Sequence, residues 1–471
     1  MEEFYVKFDR VLRAAFQYGV MAAPVRSDSD KLFEDFAHYR KFVSACHRGF
    51  EKAQHTVLEM LKENANDVSL TSYERKRREL LLRKVIDGIV FTLLKQKTYV
   101  TRRVSLHDEA PNLDFSTIDA VVKVADRLNR EDRMTFAALA DLTTFVHIGD
   151  LIRIDRRRGK DDLSFIEVKE GAVNKIVAQQ IEKYAPVPES LDQIKRDVAI
   201  DPRHVKQAQR MQRQRIRFQQ TAEVLRDDSG TDIKTGRPFR MNRQLINEVH
   251  YQETFNERAE LALREGASAF TVNYCLHFGM SAHEVMRDRI RSARVNAAFG
   301  LFETQKGAEA GLKAFYDAND ASGGLGRAAY QLSNVIHNQL MAVPATPLFC
   351  WGVSRDVIDA IIRDRLAIYC MVDVSALLFV IQQAGLLPSL ATRAETMKFA
   401  GENTGALPQF GGRAIRIRHP KLPGEQLIMG GAFARFINNL HSPFHYFLKV
   451  QEHWHEIFGA TGAGDQTSTP R

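Results

Sequence analysis

At 471 residues and 53.5 kDa the chain is too long for one ordinary domain and calls for two or three. Hydrophobic residues at 44% and charged residues at 26% describe a globular protein with ample core, and exclude a disordered, collagen-like or disulfide-stapled chain. The net charge of +8 is concentrated: residues 73–84 carry +4, 153–160 carry +4 and 203–217 carry +6, which leaves −6 for the rest. Basic charge gathered in short windows is the footprint of a polyanion binder, although many basic helix faces are only solvated surface.

In chain order, residues 1–65 read as helices, with Phe33, Phe36, Phe42, Val43 and Phe50 recurring every three or four positions. A further helix is expected over 72–94, a strand over 98–106, a polar connection over 107–114 and a helix over 115–128. Two short strands follow, 147–155 and 163–169, separated by a basic loop with Gly159 near its middle. Residues 203–226 lack Gly and Pro and predict one long helix. Another helix is expected over 245–264, stopped by Gly266, and then a strand over 267–276.

Beyond a glycine-rich break at Ser322, Gly323 and Gly324, residues 330–458 mix apolar runs with proline turns, and 459–471 is a small, polar, fraying tail. The longest apolar run, 366–387, is interrupted by Asp373 and reads as core, not as a membrane span. The opening Met-Glu-Glu lacks a signal-peptide pattern, and the four cysteines form no CxxC pair. A reduced, cytoplasmic setting without membrane association is therefore expected.

Chemistry concentrates on the two short strands. If they form a hairpin turning about Arg158 and Gly159, residues whose numbers sum to 317 face each other, and Asp150 stands opposite Glu167. Directly opposed residues share a sheet face with Cβ atoms about 4.5–5.5 Å apart, and the two-residue period puts Lys169 on that face too. Ile166, Val168 and Leu151 then turn to the other face and can be buried. Two carboxylates so close repel by several kcal/mol in a poorly solvated site. A divalent cation removes that penalty, and magnesium suits one or two carboxylates completed by water and phosphate oxygens. Lys169 is placed to orient or help deprotonate a water and to offset charge on a pentacovalent phosphate.

Gly149-Asp150, a gap, then Glu167-Val168-Lys169 resembles the signature of the PD-(D/E)XK nuclease superfamily. The resemblance covers about residues 70–280, with Gly149 where the family carries proline. It implies an α/β fold: a restriction-endonuclease-like mixed sheet flanked by helices, with the long stretch between the 98–106 strand and the hairpin as a departure. The organisation expected is a helical region over 1–70, the nuclease-like core over 71–290, a C-terminal α+β region over 291–458 and the tail over 459–471. Asp150 and Glu167 would be metal ligands, and Lys169 the catalytic lysine. Glu79 is the best-placed third carboxylate on the first core helix, with Glu74 and Asp87 as rivals.

A glutamine-bearing helix beside the site is expected at Lys206, Gln207 and Arg210, with Gln180 to Tyr184 resembling the QxxxY pattern of RecB-type members as the competing choice. The implied activity is magnesium-dependent phosphodiester hydrolysis, with manganese as substitute, on DNA rather than RNA, in defence against foreign DNA or in DNA processing. Arg156, Arg157, Arg158, Lys206, Gln207, Arg210 and Arg213 would hold the backbone. Cleavage of two strands would suit a homodimer. The alternatives are a nucleic-acid binder with an inactive core, and a small-molecule or protein-interaction module whose basic windows are only surface.

Other signals are weaker. His441 and His445 share a helix face but lack an ExxH partner, and His453 and His455 diverge. The 322–327 loop lacks the Walker Lys-Ser/Thr ending, and a lone strand histidine such as His147 is usually a packing residue. Phe433, Phe436, Phe444, Tyr446 and Phe447 recur at helical spacing and are expected in the core.

Overall fold

The computed structural model describes residues 2–22, 36–94, 96, 113, 115–146, 149–157, 162–168, 216, 227, 229–231, 238–240, 249–282, 327–331, 350, 352–400, 413–428 and 430–459. The protein is a mixed α/β chain of two compact units, Met1–Met241 and Asn242–Arg471. The N-terminal helices and the 150–168 hairpin thus fall in one unit. Among the described residues no helix is long and apolar enough to cross a membrane.

In the first unit, α1 (Glu2–Ala22) lies along α2 (Phe36–Asn66). Phe8, Val11, Ala14 and Ala15 of α1 and Phe50, Ala53, Val57 and Leu61 of α2 are buried at helical spacing. Two glycines allow the close crossing. A Cβ on Gly49 would stand 2.2 Å from the Ala14 carbonyl oxygen, and one on Gly19 would stand 2.0 Å from Cys46 Sγ.

Helix α3 (Ser72–Leu93) begins with a capping box in which Thr71 and Glu74 satisfy each other's backbone N–H groups. It is buried along most of its length, from Leu80 through Val85 and Ile89 to Leu93. Helix α4 (Phe115–Glu131) then leads into a three-stranded antiparallel meander: β1 (Thr135–Leu139), β2 (Leu151–Asp155) and β3 (Asp162–Ile166), in that spatial order.

Strand β1 was not anticipated from the sequence, because Thr135–Leu139 is buried on both faces and shows no alternation. The expected strand over 98–106 lies outside the described residues, as does nearly all of the expected helix over 203–226. Among the described residues β1 is one of the two outer strands of this sheet, and side chains from two helices bond to its outward edge. The Leu139 N–H donates to Gln54 Oε1 at 2.8 Å, and the Ala137 N–H donates to Asn129 Oδ1 at 2.7 Å. Just before the strand, the Arg133 carbonyl lies 2.8 Å from His47 Nδ1. Gln54, Asn129 and His47 are all buried. A carbonyl can only accept, so His47 carries its proton on Nδ1.

A short hairpin, β4 (Ser229–Thr231) with β5 (Pro238–Arg240), completes the described part of this unit. The second unit is built on a four-stranded antiparallel sheet. Helix α5 (Gln252–Glu265) ends at Gly266 as expected, and β6 (Ala267–Val272) follows. The strand expected over 267–276 is interrupted, since Asn273 and Tyr274 take φ of 46° and 60° and turn the chain into β7 (Leu276–Ala282). Two left-handed residues in succession make a tight hairpin turn, and Asn-Tyr is a fainter signal for it than Asn-Gly.

Strands β8 (Arg327–Gln331) and β9 (Leu366–Asp373) complete the spatial order β6-β7-β9-β8, with α6 (Arg355–Ile362) preceding β9. Asp373, the charge interrupting the apolar 366–387 run, caps α7 (Val374–Gln383) by accepting the Ala376 N–H at 2.9 Å. Beyond α7, β10 (Leu387–Leu390), α8 (Arg393–Ala400), β11 (Ile415–Arg418) and β12 (Glu425–Ile428) make a second small antiparallel sheet with one helix inserted. Helices α9 (Gly430–Asn438) and α10 (Pro443–Gly459) close the described chain. Phe433, Phe436 and Phe447 are in the core as expected, while Phe444 and Tyr446 are half-buried.

Burial, and secondarily Arg156, push the His47 imidazole down to about 4, and Nε2 has no partner among the described residues. Below pH about 6.5 the unfolded chain takes up a proton that native His47 refuses, so stability falls as pH drops from 6.5 towards 4. The expected loss is roughly 3 kcal/mol, read by urea denaturation at pH 7.5 and 4.5. The slope should shrink in His47→Gln. Gln54→Met should cost about 1–3 kcal/mol by stranding the Leu139 N–H.

Candidate active site

The candidate site lies at the open end of the β2–β3 hairpin. The ladder runs from Leu151↔Ile166 to Asp155↔Asp162, the register whose numbers sum to 317. Asp150 and Glu167 are the residues next beyond its last pair, and both are half-buried. Asp150 is tied on each side of the middle strand: its carbonyl accepts the Ala140 N–H at 2.8 Å, and its N–H donates to the Ile166 carbonyl at 2.9 Å. Its carboxylate Oδ2 accepts the Val168 N–H at 2.5 Å, which joins the aspartate to the segment that carries Glu167.

Gly149 has φ of 71°. Proline, fixed near −65°, cannot take that conformation, so the glycine standing where the resembled motif has proline is imposed by the backbone here.

Helix α3 meets the segment that leads into Asp150 through polar side chains that the sequence reading did not connect. Arg83 is fully buried and donates to the Thr143 carbonyl. Asp87 is 1% exposed, accepting the Thr144 N–H at 2.7 Å and its hydroxyl at 2.6 Å. Lys84 Nζ lies 3.2 Å from Asp87 and donates to Thr144 Oγ1 at 3.1 Å. The partners are some sixty residues apart in the chain, and the only hint in sequence is charge set within an apolar helix.

These contacts also sort the three candidate carboxylates of α3. Glu74 belongs to the capping box and Asp87 to Thr144. Glu79 pairs with Lys76 at 3.1 Å and Arg83 at 3.2 Å.

The basic windows look different once partners are seen. In the first, Arg77 donates to the Tyr5 hydroxyl, Arg75 to the Asp67 and Leu70 carbonyls, and Arg78 lies over the Phe4 ring. Lys76, Arg83 and Lys84 are also paired, so each base of this window has a partner within the fold. In the second, Arg153 and Arg157 both pair with Asp155. Hydrogen bonds from Arg157 come first among the causes that hold the Asp155 carboxyl down to about 2. Arg156 is half-buried, and its charge acts on Cys46 and His47. Arg157 is exposed. Arg158, Lys169, Lys206, Gln207, Arg210, Arg213 and the 180–184 stretch lie outside the described residues.

Away from the hairpin, Glu51 and His55 of α2 and Asp126 of α4 bring ligand-type atoms within 4.8 Å of one another. Arg133 sits 2.5 Å from Glu51, and His55 lies 2.9 Å from Asp126, so the group reads as an ion-pair network that already holds its own cation. His445 Nδ1 is 2.9 Å from Ser442 Oγ at the start of α10, while the His441 ring meets the His250 ring edge-on at 4.4 Å. The tempting i, i+4 pair thus divides between two separate contacts.

Compared with known proteins, the chain matches no family model, no curated protein and no solved structure.

Asp87→Ala should destabilise the first unit by about 3–5 kcal/mol, since it leaves Lys84 and the Thr144 N–H without their buried acceptor. Thermal and urea unfolding would read the loss, and a change below about 1 kcal/mol would contradict the role assigned to Asp87.

Proposed function

We propose that this chain is a metal-dependent nuclease that hydrolyses phosphodiester bonds, with its centre at Asp150 and Glu167. The observation that supports the reading is the hairpin register, whose last pair, Leu151↔Ile166, leaves Asp150 and Glu167 as the next residues of the two chains at the end of a sheet covered by helices. A meander that follows a helix, with Gly149-Asp150 just before its second strand and Glu167-Val168 just after its third, also fits the arrangement that the resemblance to PD-(D/E)XK nucleases implies.

Two carboxylates of which one is already anchored fit a magnesium ion, which takes one or two protein oxygens and keeps its waters. Asp150 and Glu167 would hold it, and such an ion supplies charge for the phosphate oxygens and a more acidic water. The chain's own residues do the rest. Ala140 and Ile166 fix the backbone of Asp150, and the Val168 N–H fixes its carboxylate. Lys169 would orient the attacking water and offset charge on the phosphate. Of the described arginines on the hairpin, Arg153, Arg156 and Arg157, the last is the exposed one, and it would meet a backbone phosphate from its pairing with Asp155. DNA is the proposed substrate ahead of RNA.

A second reading, a nucleic-acid binder without turnover, is favoured by one observation: the Asp150 carboxylate already spends an oxygen on the Val168 N–H.

Supercoiled plasmid and single-stranded DNA, incubated with and without magnesium, separate the two. Wild type should nick in a magnesium-dependent manner, while Asp150→Asn and Lys169→Ala should each lose at least about a hundredfold in rate with binding largely kept. Equal cleavage by wild type and both variants would sink the nuclease reading. Salt-sensitive binding without cleavage would establish the second.

A further inference from the structure

The bond from the Ala140 N–H to the Asp150 carbonyl, at 2.8 Å, places the aspartate only as firmly as Ala140 is itself held. Ala140 opens a single tight turn, Ala140–Leu142, and Thr143 closes it. The closure is double, since the N–H and the hydroxyl of Thr143 both donate to the Ala140 carbonyl, at 2.9 Å and 2.7 Å. The same hydroxyl oxygen accepts the Val146 N–H at 2.9 Å, so it also fixes the chain on its way to Gly149 and Asp150. From α3, Arg83 donates to the Thr143 carbonyl. Ala140, Thr143 and Arg83 are all fully buried, so a bond lost among them is not replaced by one from bulk water.

A run of hydrogen bonds therefore leads from α3 through Arg83, Thr143 and Ala140 to Asp150. The backbone of Thr143 is extended, with φ of −82° and ψ of 163°, a conformation open to any residue. Valine would fill nearly the same space. What threonine adds is a hydroxyl that is donor to one end of the turn and acceptor for the segment beyond it.

We propose that Thr143 is a positioning residue for Asp150, acting through Ala140 under the anchorage of Arg83. The proposal rests on the nuclease reading. Magnesium demands near-ideal octahedral geometry, so a carboxylate that holds it must be presented in one place. The strand on the other side contributes Ile166 to the Asp150 backbone and Val168 to its carboxylate. Thr143 governs the side towards β1. Groups that stand behind a metal ligand in this way are typically worth about ten- to a hundredfold in metal affinity or activity.

Magnesium titration of plasmid nicking by wild type, Thr143→Val and Thr143→Ser tests it, with folding checked by circular dichroism. Valine loses the hydroxyl and should raise the magnesium concentration for half-maximal cleavage at least about tenfold, with the KM for DNA unchanged. Serine keeps the hydroxyl and should restore the wild-type magnesium requirement. If Thr143→Val does not fold, Thr144→Val takes its place, since it loosens the same segment by removing hydroxyl bonds to Asp87 at 2.6 Å and from Lys84 at 3.1 Å. The same rise is then expected. A folded valine variant with the wild-type magnesium requirement, a rise in the KM for DNA alone, or a serine variant as impaired as Thr143→Val would each overturn the inference and leave the nuclease reading standing. Absence of magnesium-dependent cleavage by wild type would instead overturn the nuclease reading, and this inference with it.

Discussion

The outer edge of β1 is the constraint on which the first unit depends. An outer strand leaves every second N–H and C=O without a partner, and here the helices fill those positions with Gln54 and Asn129. Each of these hydrogen bonds is modest in net terms, but an unfilled position would be costly, so the helices can dock in only one alignment. The ordering then passes across the ladder from β1 to β2 and from β2 to β3, and it reaches Asp150 and the segment bearing Glu167. Local pattern forms the helices and the hairpin, but the buried amides decide how they meet.

Much of this was legible in the sequence where the information was local. The helix starts at Ser72 and Phe115, the stop at Gly266 and the pairing of Leu151 with Ile166 all follow from spacing, breakers and turn symmetry. What escaped was non-local. Strand β1 lacks alternation because both of its faces are covered, so its five residues carry no period. The Arg83, Asp87 and Thr144 cluster depends on contacts across some sixty positions that no window can see. The 273–274 turn escaped for a third reason, since Tyr274 is a poor advertisement for a left-handed backbone. The pairing of the two strands that lead to Asp150 and Glu167 was legible because it follows from one turn symmetry, whereas the fate of Glu74 and Asp87 required the fold.

The fate of the positive charge is a physical lesson of its own. Six bases in twelve residues look like a patch for a polyanion. In the folded chain they reach carbonyls, a tyrosine hydroxyl, an aromatic face and carboxylates, and two of them are buried. Arginine suits this work because its planar fork can satisfy several acceptors at once. Net charge therefore overstates what this helix offers to solvent.

The filled edge of β1 also bears on how copies of the chain behave towards one another. An open edge strand is a template on which a neighbouring molecule can add its own strand, and that is a common route to fibrils and swapped assemblies. With Gln54 and Asn129 seated on it, β1 has the outward N–H groups of Ala137 and Leu139 and the Ala137 carbonyl already taken, which opposes growth of the sheet in that direction. The same amides that set the helices in place thus protect a wholly buried strand from self-association, and the protection lasts only as long as the helices stay docked.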